Sequence, residues 1–476
     1  MNWIKLRWAL LLLFLIPVFD LGSPFQLADE FSAFVLEMVI SLAACALLLT
    51  RLDRMDGRTL WVWVLLGLFL QGYYIKGFLY AGVVSVPGSV FRNPELNWLS
   101  IHTIAAGFRY TTVAFVVACV FCWLALGRRR GPVPTPPAIE AAEASTGRAA
   151  WLALAVTALT IGAGFVQAWL GIGIMGVSSE RLPMRLDTVL FRFRSDLAPT
   201  WVLLALWVLD RPGRRRAWVL TLAAMLVVAL IDGLVSSSRG TFVRLGLLVF
   251  FLWVLTGRLR RRRVLFLGLI LVATVLLAPF FTTIRQLRME ASDRSQAVVS
   301  SAASSAWSGG LAESTASAAI FVGDRVSGTE GIWFAMGEFP DDIDWRRVLD
   351  HLFVEPLHIY YTRQIVGVLS PTDFRAPGLV AFFLMLGGTR GLVVFLTAYL
   401  LGFTVLWDLA SRLQAAPVAL ALCVNALLYI TMEGILGINN IVLLFIDIAA
   451  AEWLYTKYLA RGAPAQLRLA AEGVLA

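Results

Sequence analysis

The chain has 476 residues, of which 59% are hydrophobic and only 15% are charged, and its mean hydropathy is +0.78. Soluble domains are close to half apolar and a quarter charged, so this composition excludes an ordinary soluble protein. The formal net charge is +9 at pH 7, and only 3 of the 40 basic residues are lysines. Apolar runs recur along the whole chain, and most of them are long enough to cross a hydrocarbon core about 30 Å thick as helices.

The apolar runs predict an all-α polytopic membrane protein with about 12 transmembrane helices. In chain order, the predicted spans are residues 8–22, 31–50, 59–80, 101–127, 149–171, 196–209, 217–236, 241–256, 264–282, 379–407, 416–434 and 440–456. The first run follows Lys5 and Arg7 but is not followed by a small-x-small cleavage site. We therefore interpret it as a retained helix and not as a signal peptide.

Basic residues orient these spans, because connections rich in arginine and lysine stay in the cytoplasm. An even number of predicted spans separates each basic cluster from the next. The clusters are Lys5 with Arg7; Arg51, Arg54 and Arg58; Arg128 to Arg130; Arg211 with Arg214 to Arg216; Arg258 with Arg260 to Arg263; Arg412; and Lys457 with Arg461. All of them therefore fall on one side. We predict a bacterial inner-membrane protein with both termini in the cytoplasm.

The predicted topology divides the chain into six parts. They are an N-terminal four-helix membrane segment (1–126), a cytoplasmic Pro-rich linker (127–148), central membrane helices with an Arg-rich outer loop and an Arg-Gly turn (149–282), a large periplasmic loop (283–378), C-terminal membrane helices (379–456) and a cytoplasmic tail (457–476). The periplasmic loop is too long for a simple connection and should contain helices of its own. Residues 341–349 have the acidic start and basic continuation of a short amphipathic helix.

Arginines also gather at the outer ends of the spans, where positive charge opposes the expected orientation. They are Arg181, Arg185, Arg192 and Arg194 in the loop 172–195; Arg239 and Arg244 at the turn 236–240; and Arg285, Arg288 and Arg294 at the start of the long loop. A planar guanidinium group forms two parallel hydrogen bonds to phosphate, so an arginine-lined outer cavity suits a lipid-linked diphosphate. The alternative is ordinary anchoring to lipid headgroups.

The turn around Arg239 is the sharpest local feature of the sequence. Asp232 lies seven residues before Arg239, two turns along one helical face. A carboxylate at this depth needs a partner, so we expect Asp232 to pair with Arg239 or with a neighbouring arginine. Gly240 permits a tight turn or the close approach of a ligand. The alternative is a Ser/Gly turn that simply ends a helix.

Two histidines of the long loop, His351 and His358, flank Glu355 at a spacing that places all three on one helical face. The spacing is not that of a zinc site, and an ordinary amphipathic helix explains it equally well. The functional interpretation is that His358 or Glu355 supplies a general base at the outer membrane surface. We expect no metal and no cofactor.

From Val235 onward the chain resembles the bacterial O-antigen or oligosaccharide repeat-unit polymerases (Wzy-type), which are relatives of the O-antigen ligases. Ser238-Arg239-Gly240-Thr241 resembles the family's small-residue-Arg-Gly turn, and the long outer loop lies where the family has its large periplasmic loop. The stretch from Pro377-Gly378 to Leu386-Gly387-Gly388-Thr389-Arg390-Gly391 looks like the glycine-rich helix with which these proteins re-enter the membrane. This stretch lacks the acidic residue of many ligases, which favours a polymerase.

The resemblance implies glycosyl transfer between undecaprenyl-diphosphate-linked oligosaccharides on the periplasmic face, without nucleotide sugar or metal. Its implied catalytic residues are His358, Glu355 and Arg239. Its implied substrate-binding residues are Arg285, Arg288, Arg181, Arg194, Arg390 and Asp232. The expected partners are the lipid-linked oligosaccharide, the lipid bilayer, a chain-length regulator and a flippase, and no nucleic acid.

Three further functional classes remain open at this point. A lipid-phosphate-sugar glycosyltransferase would use acidic residues of the first outer loop, where Asp20, Asp29 and Glu30 lie. An O-antigen ligase also remains open, as does a flippase or exporter of the same glycan. A transporter should have polar stations at several depths of the membrane, whereas most of the polar residues within these spans fall in the outer half.

Overall fold

The computed structural model of the chain describes residues 31–52, 55–85, 96–128, 146–171, 186–211, 213–236, 240–291, 328–353, 360–361, 365, 377–433 and 438–460. Within these residues all regular secondary structure is helical, and no strand occurs. The prediction of an all-α protein is therefore confirmed for the part of the chain that the structure describes. The first predicted span, 8–22, lies outside it.

The helices follow the apolar runs. They are α1 (Phe31–Leu49), α2 (Leu60–Phe69), α3 (Lys76–Ser85), α4 (Ile101–Arg128), α5 (Thr146–Leu170), α6 (Leu186–Arg192), α7 (Ala198–Leu209), α8 (Arg215–Ser236), α9 (Gly240–Leu255), α10 (Arg261–Ala291), α11 (Thr329–Ala335), α12 (Trp345–Phe353), α13 (Leu379–Ser411), α14 (Ala416–Glu433) and α15 (Ile438–Leu454). A π-helical turn, Leu70–Ile75, joins α2 to α3, and a second one, Phe193–Leu197, joins α6 to α7. A third, Tyr455–Leu459, follows α15.

Six of the described helices are long and apolar enough to cross a membrane. They are Leu60–Val84, Ile101–Gly127, Thr146–Leu170, Arg215–Ser236, Arg261–Phe281 and Leu379–Ser411. Three shorter apolar helices accompany them, Val35–Leu49, Thr241–Leu255 and Ala416–Met432. Large apolar side chains remain exposed on several of these helices, such as Trp169 on α5 and Leu269 on α10. Such faces are suited to contact with lipid.

Helix α10 differs from its prediction, because it continues to Ala291 and does not end at residue 282. Its interior Pro279 does not stop it. Ile284 is fully buried against Leu234, Phe280 and Leu287. This apolar contact stabilises the additional turns of the helix. Arg285 and Arg288, which the sequence places at the start of the long outer loop, lie on this helix, beyond the candidate span Arg261–Phe281.

The short helix predicted over 341–349 is shifted towards the C-terminus. The structure begins α12 at Trp345, because Asp344 accepts hydrogen bonds from the backbone N–H groups of Arg346 (3.0 Å) and Arg347 (3.1 Å). This is the N-cap arrangement, in which a carboxylate satisfies the free donors of the first turn. The acidic residues therefore precede the helix and do not form its first turn.

The chain divides into two compact units. Unit 1 comprises residues 1–132, 324–408 and 426–442, and unit 2 comprises residues 133–323, 409–425 and 443–476. In unit 1, α4 packs along α1 and also contacts α3 and α11. In unit 2, α5, α7 and α8 pack against one another, and α9 lies between α8 and α10. Each unit thus has its own set of packed helices.

Basic helix ends converge within each unit. In unit 1, Arg51 donates to the carbonyl oxygen of Trp123 (2.5 Å), and Arg58 donates to that of Leu126 (2.7 Å), near the C-terminal end of α4. In unit 2, the Asp210 carboxylate accepts two hydrogen bonds from Arg263, at 2.7 and 2.9 Å. Connections that the charge pattern assigns to the same side of the membrane are therefore neighbours in the fold.

Helix α13 is interrupted after its first eight residues. Residues 379–386 are all buried, and Gly387 and Gly388 then leave helical geometry, with Gly388 at φ +55° and ψ −148°. A side chain at Gly388 would drive its Cβ into the carbonyl oxygen of Pro340. The backbone N–H of Asp344 donates to the carbonyl oxygen of Leu386 (3.2 Å). Residues 340–344 therefore pack against the non-helical part of α13.

We expect Gly388→Ala to lower the free energy of unfolding. The backbone conformation alone costs a residue other than glycine about 1–3 kcal/mol, and the contact with Pro340 adds to it. The measurement is the thermal unfolding midpoint of the protein purified in detergent. Gly402→Ala on the same helix is the control, because no atom lies within 4 Å of its added Cβ. Equal midpoints for the two variants would contradict this account of the interruption.

Candidate functional site

A partly buried group of polar and ionic side chains in unit 2 contains two of the predicted substrate-binding residues, Arg194 and Asp232. We call it the Arg194 cluster. It consists of Gln167, Arg192, Arg194, Asp196, Asp232, Thr241, Arg244 and Asp447. These residues come from α5, α6, the π-helical turn 193–197, α8, α9 and α15. Ionisable side chains inside apolar helices are costly, so their convergence marks a candidate site.

The π-helical turn that carries Arg194 and Asp196 has a local cause in the sequence. Pro199 stands at the start of α7 and has no backbone N–H, so it cannot complete the usual helical hydrogen bond. The carbonyl oxygen of Ser195, four residues earlier, instead accepts a hydrogen bond from Arg244 at 2.9 Å. Both Arg194 and Asp196 are buried in this turn. π-Helical turns often occur at functional sites.

Arg194 is the centre of the cluster and is 0% exposed. Its Nε donates to Asp232 Oδ1 at 2.8 Å, and its Nη1 donates to Gln167 Oε1. The other carboxylate oxygen of Asp232 accepts a hydrogen bond from the Thr241 hydroxyl at 3.0 Å. Asp232 therefore pairs with Arg194, whereas Arg239, the first of the partners that the sequence suggested, lies outside the described residues.

Asp196 is the second carboxylate of the cluster and holds two arginines. Arg192 donates to Oδ2 at 2.8 Å, and Arg244 donates to Oδ1 at 2.8 Å. Asp447 on α15 interacts electrostatically with the same three side chains. The cluster therefore contains three arginines and three acidic residues, and the carboxylates of Asp196 and Asp232 compensate the charge of the arginines.

This compensation changes the chemistry that the sequence predicted. We expected an outer cavity lined with arginines, but the structure pairs Arg192, Arg194 and Arg244 with carboxylates. What the cluster can offer a ligand is a set of fixed hydrogen-bond donors. Arg194 Nη2 and Gln167 Nε2 are both buried, and neither has a hydrogen-bond partner among the described residues. Two such donors suit an anionic oxygen, because charged acceptors make the strongest hydrogen bonds.

The structure separates the other predicted site residues. Arg285 and Arg288 lie on α10, and their side chains are outside the described part. The residues Arg181, Arg239, Glu355 and His358 also lie outside it. Arg390 belongs to unit 1, where its side chain is 72% exposed and forms a 3.0 Å ion pair with Asp342. The backbone N–H of Ile343, followed by the charge of Arg390, holds the pKa of Asp342 below its usual range.

Unit 1 has a second, smaller polar group that the sequence did not connect. Lys76 forms an ion pair with Oε1 of Glu330, and the Tyr80 hydroxyl donates to the same oxygen at 2.8 Å. The pair is possible because Gly328 lies directly against the backbone of Gly72, where an added Cβ would collide with the carbonyl oxygen. Nothing in the sequence around Glu330 predicts this partner, which is 254 positions away from Lys76.

The described residues contain no group of three His, Cys, Asp or Glu side chains arranged to hold a metal ion. The Arg194 cluster has carboxylates, but arginines occupy both oxygens of Asp196, and Arg194 and Thr241 occupy those of Asp232.

We expect Asp232→Leu to destabilise the protein by about 3–5 kcal/mol, because it leaves Arg194 buried without its counter-charge. The double variant Arg194→Met/Asp232→Leu should recover most of this loss, since it removes both charges and retains apolar volume. Thermal unfolding of the purified variants in one detergent provides the comparison. If the double variant were as unstable as Asp232→Leu, the charge pair would not be the cause.

Comparison with known proteins gives no match: no family model, no curated protein and no solved structure matches this chain.

Proposed function

We propose that the protein polymerises undecaprenyl-diphosphate-linked oligosaccharide repeat units into O-antigen, capsule or exopolysaccharide chains. In this proposal it crosses the bacterial inner membrane with about 12 helices, keeps both termini in the cytoplasm and acts on the periplasmic face. The carrying observation is the Arg194 cluster, in which a fully buried guanidinium group retains a donor for a ligand. The family resemblance supplies the identity of the reaction.

The position of the cluster supports the outer face. On α8, Asp232 lies 17 residues after Arg215, a distance of about 25 Å along the helix axis. Arg215 follows a basic connection, which the charge pattern assigns to the cytoplasm. On α9, Thr241 and Arg244 lie near the N-terminal end, whereas Arg258 follows the C-terminal end. The cluster and the basic connections thus lie at opposite ends of these helices.

The reaction requires stabilisation of a departing diphosphate. A hydroxyl oxygen of the acceptor glycan attacks the anomeric carbon of the donor, and the bond from that carbon to the diphosphate oxygen breaks. The electron pair of this bond leaves with undecaprenyl diphosphate. Fixed donors aimed at the developing negative charge lower the barrier, because their orientation is already set in the folded protein. Arg194 and Gln167 can act in this way, together with Arg239 as implied by the resemblance.

The acceptor hydroxyl loses its proton in the same reaction. His358 and Glu355 remain the proposed bases. Their spacing can place both on one face of a helix, and they belong to the long outer loop, which lies where the resembling family has its large periplasmic loop. Arg285 and Arg288 remain proposed ligands of the diphosphate from the last turns of α10. Their position on a helix gives them a more rigid support than the loop that we expected.

A flippase or exporter of the same glycan is the second candidate, and one observation favours it. Lys76, which forms an ion pair with Glu330, lies within a helix long enough to cross the membrane. Buried ionisable residues in membrane helices often mark transport pathways. The two functions differ in their products, because a transporter moves lipid-linked glycan without lengthening it.

Deleting the gene tests the proposed class of reaction. We expect single lipid-linked repeat units to accumulate on the periplasmic side and long chains to disappear, since assembly of the unit does not require the polymerase. Electrophoresis of the surface polysaccharide and mass spectrometry of the lipid-linked fraction measure both effects. An unchanged chain-length distribution would refute the polymerase, and accumulation on the cytoplasmic side would support the flippase.

The Arg194→Met/Asp232→Leu variant tests the site within this function. It should insert and fold, yet its rate of polymerisation should fall about ten- to a hundredfold, as expected for the loss of a charge-assisted hydrogen bond of about 1.5–3 kcal/mol in the transition state. The assay uses purified protein and lipid-linked repeat units from the deletion strain. Arg412→Lys is the matched control, because it keeps the charge of a predicted cytoplasmic residue. Full activity of the double variant would assign the cluster a structural role only.

A further inference from the structure

One end of unit 2 carries a dense group of arginines on its helix connections. Nine arginines lie in the connections α7 to α8 and α9 to α10 and in the first turns of the helices that follow them. They are Arg211, Arg214, Arg215, Arg216, Arg258, Arg260, Arg261, Arg262 and Arg263. Asp210 is the acidic residue beside them. We call this region the arginine patch.

Asp210 joins the two connections into one surface. Its carboxylate accepts the two hydrogen bonds from Arg263, and its backbone carbonyl oxygen accepts a hydrogen bond from Arg258. The guanidinium group of Arg263 also lies 5.0 Å from the ring centre of Trp253 and 5.7 Å from that of Trp218. Arg258 and Arg263 therefore have structural roles, and they fix the spacing of the remaining arginines.

The arginines on either side of this joint are accessible. Arg215, Arg216, Arg260, Arg261 and Arg262 are all exposed. Positive charges lie close together in this region. Burial, followed by the neighbouring charge of Arg214, lowers the pKa of Arg211. A surface with several exposed guanidinium groups and one occupied carboxylate gains free energy when phosphate groups neutralise it.

We infer that the arginine patch binds the headgroup of an anionic phospholipid, with preference for one that carries two phosphates. Three observations identify a lipid as the occupant. The patch lies at the ends of helices that are long and apolar enough to cross a membrane, so headgroups are its immediate neighbours. Trp218, which is partly exposed, borders it, and tryptophan is enriched at the level of the headgroups. Basic pockets between transmembrane helices on the cytoplasmic side are typical binding sites for such lipids.

The inference is independent of the proposed glycan chemistry. Positive charge on a connection suffices to orient a helix, whatever the exact arrangement of the side chains. A headgroup site depends in addition on the proximity of the two connections, which Asp210 establishes. The two roles are therefore separable by variants that keep the topology.

The test is lipid binding by the full-length protein purified in a neutral detergent. Cardiolipin, with two phosphates, is titrated against the protein while thermal unfolding is recorded, and native mass spectrometry counts the bound molecules. Phosphatidylcholine and inorganic pyrophosphate serve as the neutral-lipid and soluble-phosphate probes. We expect cardiolipin alone to raise the unfolding midpoint and to remain bound.

The variant Arg261→Gln/Arg262→Gln should weaken cardiolipin binding roughly thirtyfold, because each arginine near an anionic headgroup contributes about fivefold. Arg261→Lys/Arg262→Lys keeps the charge and should bind within a few-fold of the wild type. Arg346→Gln/Arg412→Gln removes the same charge from exposed positions elsewhere and should bind as the wild type does.

Three results would overturn the inference. The first is equal stabilisation by cardiolipin and phosphatidylcholine, and the second is equal stabilisation by pyrophosphate alone, which would indicate a soluble phosphate site. The third is unchanged binding in Arg261→Gln/Arg262→Gln. If that variant fails to insert, Arg215→Gln/Arg216→Gln provides the same comparison from the other connection, with the same expected loss.

Discussion

The cost of burying charge among apolar helices is the constraint on which this structure depends. A guanidinium group removed from water is tolerated only when a carboxylate and further hydrogen bonds compensate it. Arg194 satisfies this condition through Asp232 and Gln167. Because these partners come from three different stretches of the chain, the requirement for compensation also fixes how α5, α7 and α8 pack. In unit 2 the ion pairs and the packing of the helices therefore depend on each other.

The same principle operates with different consequences elsewhere. Asp210 gathers two basic connections and leaves most of their arginines exposed, so it organises a surface. Lys76 and Glu330 instead join a long apolar helix to a segment that follows hundreds of residues later, so they hold a distant part of the chain in place. In the Arg194 cluster, compensation is almost complete, and it leaves a few oriented donors. Asp210 therefore has exposed arginines around it, whereas each arginine of the Arg194 cluster is paired with a carboxylate.

The sequence predicted the described helices well, because their apolar runs are long and their ends are basic or rich in glycine. It also identified Arg194 and Asp232 as separate candidates. It did not predict their pairing, because helical spacing connects Asp232 only to near neighbours such as Arg239, whereas Arg194 is brought to it by tertiary packing. Gln167 was missed because a single glutamine in an apolar helix has no distinctive pattern. The continuation of α10 through residues 283–291 was not predicted, because polar residues there conceal the buried face around Ile284.

The π-helical turn between α6 and α7 has a consequence for how this protein can vary. The turn accommodates one residue more than an α-helix would, and the positions of Arg194 and Asp196 depend on that extra residue. Loss of Ser195 would restore ordinary helical spacing and rotate α6 by about 100° relative to α7. The residues of α6 would then face a different direction relative to α7, although every ionic residue remained in the sequence. Substitutions in this stretch change individual contacts, whereas this deletion changes the direction in which the whole of α6 faces.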